Sequence, residues 1–228
     1  MHEEAPALTE PLEALRAAYE AFTTVVAELG DEESWLPTGC TGWAVRDLIF
    51  HCLSDAQRAL VALHTPTQDP VDRNAVTYWQ GWQPNTTGAA NGRRWARVSA
   101  SMFLDFEQLK EVCLETAAAT VMAAAAADHG RRVRTQGHVL TTHDLITTLT
   151  VEATIHHLDL TTALPSAPAP SSSGLKAVRQ TLDGLLGRPV PLSWSDARYA
   201  QAATGRAPLT EVEITALGPD AARFPLFG

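Results

Sequence analysis

Four long stretches of the sequence repeat apolar residues at the spacing of an α-helix, and this pattern constrains the fold most. The predicted helices span residues 9–29, 41–64, 93–128 and 141–162. The apolar stripe of the third runs through Trp95, Val98, Met102, Phe106, Leu109, Cys113 and Ala117. Thr9 is a candidate cap for the first helix, and Thr141 with Asp144 resembles a capping box for the fourth. Because amphipathic helices must bury their stripes against one another, we predict an all-α protein built on a four-helix bundle.

The segments outside these helices are rich in turn-forming residues and carry no strong strand pattern. Residues 65–92 are predicted to form a long loop whose aromatic side chains pack over the bundle, and the basic stretch 131–144 is predicted to be irregular. The Pro/Ser-rich residues 165–174 indicate a linker. We therefore expect a bundle over residues 1–164 and, after the linker, a small, mostly helical carboxyl-terminal segment over 175–228 that packs on it.

Composition and charge exclude several classes of partner. The net charge of -9 argues against binding to nucleic-acid phosphates or to an anionic membrane surface. The amino-terminal residues lack the basic start and apolar run of a secretory signal, and no apolar run reaches the length of a membrane span. We therefore expect a cytoplasmic protein. The sequence leaves open whether it is a monomer or a homodimer. Cys40, Cys52 and Cys113 are odd in number and widely spaced, which indicates reduced thiols.

A carboxylate and an imidazole share the buried stripe of the fourth helix. Glu152 and His156 are four residues apart, so their side chains lie about 40° apart on one helix face. A buried carboxylate needs a partner, which could be an arginine, a second histidine or a metal ion. On the second helix, His51 lies at the edge of the apolar stripe with Asp55 one turn further on. Two histidines and one carboxylate suit a catalytic divalent metal, and a histidine paired with Glu152 inside the core is the alternative.

Other residues are candidates for supporting roles. His157 points about 100° away from His156, so we expect it to hydrogen-bond or pack rather than to ligate. Asp159 could orient His156 or simply place a charge at the helix end. Arg206 and Arg223 could bind a substrate carboxylate with both guanidinium nitrogens if the carboxyl-terminal segment folds over the site; solvated side chains are the alternative.

Two motifs carry a resemblance to a known family. The stretch TGCTGWAVRDLIFHC, followed about a hundred residues later by EATIHHLDL, resembles the mycothiol-dependent maleylpyruvate isomerase family, whose pattern is P-C-x-G-W-[TS]-V-R-D-L-x-x-H-L and E-x-x-x-H-H-x-D-L. Ala44 stands where that pattern has Thr or Ser, and Cys52 where it has Leu. The tail, residues 202–228, is similar to the short carboxyl-terminal segment of many actinobacterial relatives.

The resemblance implies a DinB-like four-helix bundle with metal ligands at His51, Glu152 and His156. It also implies a low-molecular-weight thiol, mycothiol, as cosubstrate, whose metal-bound thiolate attacks an electrophilic small molecule in S-transfer or cis–trans isomerisation. Zinc is the default metal for two histidines and a carboxylate. A hydrolase that uses metal-activated water and a non-catalytic or regulatory bundle are the alternatives.

Overall fold

The computed structural model describes residues 10–84 and 86–228. Its helices are α1 (Glu10–Ala27), α2 (Asp31–Ser34), α3 (Val45–His64), α4 (Thr87–Ala100), α5 (Phe106–Ala126), α6 (Thr142–Leu160), α7 (Ser172–Leu186), α8 (Asp196–Ala203) and α9 (Glu211–Leu217). The strands are β1 (Arg132–Thr135) and β2 (His138–Thr141). Short 3₁₀ turns cover Thr77–Gly81, Thr161–Ala163 and Gly218–Arg223. The predicted cap at Thr9 lies outside the described residues.

Helices α1, α3, α5 and α6 form the bundle, with α1 packed on α5 and α6, and α3 packed on the same two helices. Their apolar faces meet in a buried core that includes Leu15, Leu48, Ile49, Leu109 and Ile146. The predicted all-α, DinB-like class is therefore confirmed. Among the described residues, no helix has both the length and the apolar character that crossing a bilayer requires.

The prediction of one helix over residues 93–128 is wrong, because the helix is interrupted between the end of α4 at Ala100 and the start of α5 at Phe106. The side chain of Asp105 accepts a hydrogen bond from the backbone N–H of Glu107 and caps α5, which favours a new helix start over continuation. Arg46 fixes the connection by donating from Nη2 to the carbonyl of Phe103, at 2.8 Å. As a result Trp95, which was predicted to face the core, is exposed.

The prediction that residues 131–144 are irregular is also wrong, because β1 and β2 pair as an antiparallel hairpin. Its two-residue turn, Gln136 and Gly137, has positive φ at both positions, as a type I′ turn requires. The side chains of Val133 and Thr135 are buried on one face of β1. These strands are only four residues long, which is too short for a clear alternating pattern in the sequence.

The carboxyl-terminal segment packs directly on the bundle. Helix α7 contacts α6 and α1, and α8 contacts α7. The imidazole Nε2 of His157 lies 2.9 Å from the carbonyl oxygen of Pro168, and the Ser171 hydroxyl caps α7, so the Pro/Ser stretch is held at two points within it. Thr210 and Glu213 form a reciprocal capping box at the start of α9. The domain boundaries at 164 and 175 stay a prediction.

Candidate metal centre

The site lies where α3 faces α6. Helix α3 begins at Val45. The preceding Ala44 has no side-chain hydroxyl to cap the helix, but its backbone N–H donates to the Asp47 carboxylate at 3.0 Å. His51 then follows less than two turns into α3 and points towards α6. The Thr141 hydroxyl caps α6, and Glu152 and His156 project from one face of that helix.

The three side chains predicted as ligands meet at this point. Nε2 of His51 lies 3.0 Å from Oε1 of Glu152, and Nε2 of His156 lies 3.3 Å from the same oxygen. Among the described residues, these donor atoms all lie within 4.8 Å of one another. Ligand atoms that each lie about 2.1 Å from one metal ion are about 3.0 to 3.4 Å apart at octahedral and tetrahedral angles. The donor set therefore fits a divalent cation, while ligation itself stays a prediction.

The site is open on one side and closed on the others. The side chains of His51 and Glu152 are 24% and 23% exposed, whereas His156 is buried. The Trp43 indole packs against both imidazoles, with ring centroids 5.0 Å from His51 and 6.2 Å from His156. A small molecule can therefore approach the donor atoms at the exposed edges of His51 and Glu152, while the Trp43 indole covers the two imidazoles on one side.

Behind the site the bundle leaves a small cavity of about 20 Å³, enough for one water molecule. Its lining consists of Tyr19, Phe22, Cys52, Asp55, Ala56, Cys113, Ala117, Leu149, Glu152 and Ala153. Oδ2 of Asp55 lies 3.3 Å from Nε2 of His51, the nitrogen that also faces Glu152, and not from Nδ1, where a residue that orients a ligated imidazole would bind; the predicted orienting role of Asp55 stays a prediction. Asp55 and Glu152 thus connect the donor set to the interior of the bundle.

A chain of contacts fixes the orientation of His156. Its Nδ1 lies 3.0 Å from Oδ2 of Asp159 and its Nε2 faces Glu152, so the Asp159 contact favours a proton on Nδ1 and leaves Nε2 available to a metal ion when one is bound. Arg206 in turn donates from Nε and Nη2 to the two oxygens of Asp159, each at 3.1 Å, and from Nη1 to the carbonyl of Thr204. The predicted carboxylate-binding arginine therefore binds a carboxylate of the protein itself.

The spacing of residues along the helices does not identify Cys40, yet its thiol belongs to this cluster. Sγ of Cys40 donates to Oδ2 of Asp159 at 3.1 Å and lies 3.7 Å from Nδ1 of His156. The preceding Gly39 donates its N–H to the carbonyl of Asp159, and a Cβ there would lie 2.4 Å from Oδ1 of that side chain. The pair Gly39–Cys40 inside the motif TGCTGW was the available signal.

Cys40, His156 and Asp159 form a second group of potential metal donors. The guanidinium of Arg206 contacts two members of this group, since Nη2 lies 3.1 Å from Oδ2 of Asp159 and 3.8 Å from Sγ of Cys40. A cation there would face a fixed positive charge at short range, which is unfavourable in a buried position. The electrostatics therefore favour the group that contains His51 and Glu152.

The ionisation of the cluster also favours a cation. Burial by itself would raise the pKa of Glu152, but hydrogen bonds from His156 and His51 hold that pKa well below its ordinary value. Burial likewise opposes ionisation of Asp159, yet contacts with His156 and Arg206 lower its pKa. Burial raises the pKa of Asp55 to about 7. Burial opposes protonation of His156, yet its hydrogen bonds to Asp159, Cys40 and Glu152 raise the pKa of this imidazole, so positive charge between the two carboxylates is stabilised.

Two predicted residues lie away from the donor set. His157 points to Pro168 and packs edge-on against Phe22, as expected of a residue turned away from its neighbour on the helix. Arg223 donates to the carbonyls of Leu185 and Leu186 at the end of α7. These contacts stabilise a helix terminus, and a role for Arg223 towards substrate stays a prediction.

Comparison with known proteins places this geometry in context. Residues 15–161 match the family model described as the mycothiol maleylpyruvate isomerase N-terminal domain. A crystal structure of the mycothiol-dependent maleylpyruvate isomerase is similar over 80% of this chain and 70% of its own, with 16% identity and a TM-score of 0.53. A histidine-to-alanine variant of that isomerase gives the same identity and coverage with a TM-score of 0.54. No curated protein matches the sequence significantly.

Proposed function

The chain belongs to the mycothiol maleylpyruvate isomerase N-terminal domain family, and from this premise we propose that it is a metal- and thiol-dependent enzyme. Mycothiol would be the thiol, and an electrophilic small molecule the second substrate. The observation that carries the proposal is the convergence of His51, Glu152 and His156 on one point, with the side chains of His51 and Glu152 partly exposed to solvent. A low-molecular-weight thiol as cosubstrate also fits the predicted cytoplasmic location.

A divalent metal held by these residues, by preference zinc, would lower the pKa of a coordinated thiol so that its sulfur is nucleophilic near neutral pH. Two neutral imidazoles and one carboxylate leave a net positive charge on such a site, which favours an anionic sulfur over a neutral ligand. Asp159 keeps His156 in the tautomer that presents Nε2, and Arg206 keeps Asp159 ionised and in place.

The surroundings of the donor atoms limit where the substrates can bind. Trp43 covers one side of the two imidazoles, whereas the partly exposed side chains of His51 and Glu152 leave an entrance. In the reaction, the thiolate sulfur forms a C–S bond to a carbon of the conjugated double bond, and the π electrons move onto the neighbouring carbonyl. If, after rotation about the resulting single bond, these electrons reform the double bond and expel the thiolate, the net reaction is cis–trans isomerisation. If the C–S bond persists, the adduct takes up a proton or a leaving group departs from the attacked carbon, and the net reaction is S-transfer.

The test is the mycothiol-dependent loss of maleylpyruvate and of a bimane electrophile, measured with and without a chelator. We expect loss to need both mycothiol and metal, and to disappear in His51→Ala. The matched control is His143→Ala, an exposed histidine at the start of α6, which should retain activity. Activity that survives the chelator and the His51 substitution would refute the proposal. Loss of an ester without any thiol would instead favour the hydrolase.

A further inference from the structure

An apolar strip on the outside of α4 is left open to solvent. Exposed fractions are 49% for Trp95, 62% for Val98, 74% for Met102 and 97% for Leu104. These four side chains fall within the ten residues 95–104, from the last two turns of α4 into the connection to α5. Large exposed apolar side chains grouped in this way are characteristic of interaction sites.

The α4 side of this surface is basic, whereas the α5 side is acidic. Residues 73–104 contain four arginines and no aspartate or glutamate, in a sequence with 26 acidic residues. Arg94 and Arg97 project from the exposed face of α4 beside Trp95. Neither forms an ion pair with any carboxylate in the described part of the chain. The α4 end of the surface is therefore basic and lacks an internal counter-charge.

The beginning of α5 carries the opposite charge. Glu107, Glu111 and Glu115 are spaced four residues apart, which places them on one stripe of the helix, and all three are exposed. Glu107 pairs with Lys110 at 2.7 Å, whereas the two later glutamates have no ion pair among the residues that the structure describes. Between the basic and acidic ends lie only the five residues 101–105, which carry the exposed Met102 and Leu104.

We propose that this α4–α5 surface, defined by residues 94–115, binds the same surface of a second copy of the chain. A two-fold axis near Leu104 would place the apolar centre against itself and the arginines of α4 against the glutamates of α5 in the other copy. An interface with an apolar centre and a charged rim is the ordinary arrangement. A membrane or nucleic acid would meet the glutamate stripe as well as the arginines, so a self-complementary partner fits better. This inference does not depend on the proposed enzymatic function.

Sedimentation velocity of the full chain over a wide concentration range tests the proposal. We expect a reversible dimer whose dissociation constant rises with salt, because the rim contacts are charged. Leu104→Glu should weaken dimerisation by about tenfold or more, since it places a charge at the apolar centre. The matched control is Val212→Glu on α9, a position that is 78% exposed but lies outside the surface, which should sediment as wild type.

Charge reversal separates a second copy from other partners. The variant with both Arg94→Glu and Arg97→Glu should be monomeric, as should the variant with both Glu111→Arg and Glu115→Arg. An equimolar mixture of the two should form a heterodimer, because each α4 then meets a complementary α5. Circular dichroism verifies that the helices persist. A monomeric wild type at all concentrations, or no heterodimer in the mixture, would overturn the proposal, as would binding of the wild-type monomer to anionic lipid vesicles through Arg94 and Arg97.

Discussion

Replacing Arg206 by methionine should strongly destabilise the fold, because Asp159 would remain as a buried carboxylate without its guanidinium. Asp159 is only 1% exposed, and both of its oxygens accept 3.1 Å hydrogen bonds from Arg206. The thiol of Cys40 and the imidazole of His156 are its remaining side-chain partners. Removing one member of a buried ion pair costs about 3–5 kcal/mol, and we expect the lower half of that range because both neighbours stay in contact.

Urea unfolding at neutral pH measures the free energy of unfolding that is lost with the guanidinium. The four proteins compared are wild type, Arg206→Met, Asp159→Asn and the double variant. The double variant should lose clearly less free energy of unfolding than the sum of the single losses, because no unpaired charge remains. Lys176→Met is the control, since its partner Glu10 and the lysine both face solvent and the midpoint should barely change. A loss below about 1 kcal/mol for Arg206→Met, or strict additivity, would refute the reasoning.

Three further changes test other parts of the structure. Gly39→Ala should destabilise by about 1–3 kcal/mol in thermal unfolding, because its Cβ would lie 2.4 Å from Oδ1 of Asp159; an unchanged midpoint would contradict the tight contact. Hydrogen bonds from Arg198 lower the pKa of Glu213 to about 2. The ionised Glu213 carboxylate therefore stabilises the folded state fully above pH 4.5, and this stabilisation is lost as the pH falls towards 2. Glu213→Gln should therefore unfold earlier than wild type at pH 6 but together with it at pH 2, and a constant difference would count against the pair. Leu182→Ala should cost about 2–5 kcal/mol, since this α7 side chain is fully buried, and a smaller loss would show that α7 packs loosely.

The spacing of residues along helices was enough to identify the candidate donors. Glu152 and His156 share a helix face at any orientation of α6, because that relation is local. His51, at the edge of the apolar stripe of α3, completed the candidate set, the family motifs implied the same three ligands, and the structure places the three together. Cys40 could not be found in this way, because its contact with Asp159 depends on how the turn before α3 packs on the end of α6.

The errors in the fold prediction have a common physical cause. Trp95 and Met102 keep the helical period of the buried residues in α5, but period alone does not say whether a helix continues or which way it faces. The Asp105 side chain accepts a hydrogen bond from the backbone N–H of Glu107, which starts a new helix and leaves both residues outside the core. The hairpin at Gln136 and Gly137 was missed because a two-residue turn with positive φ is usually marked by Asn-Gly or Asp-Gly.

The most direct test of the central claim is the zinc content of the purified protein after chelation, reloading and exhaustive dialysis. We expect about one zinc ion per wild-type chain and almost none in Glu152→Gln, with circular dichroism showing that the bundle persists. His143→Ala should retain the wild-type content. Equal zinc content in wild type and Glu152→Gln, or no retained zinc in wild type, would contradict the assignment of His51, Glu152 and His156 as the metal ligands.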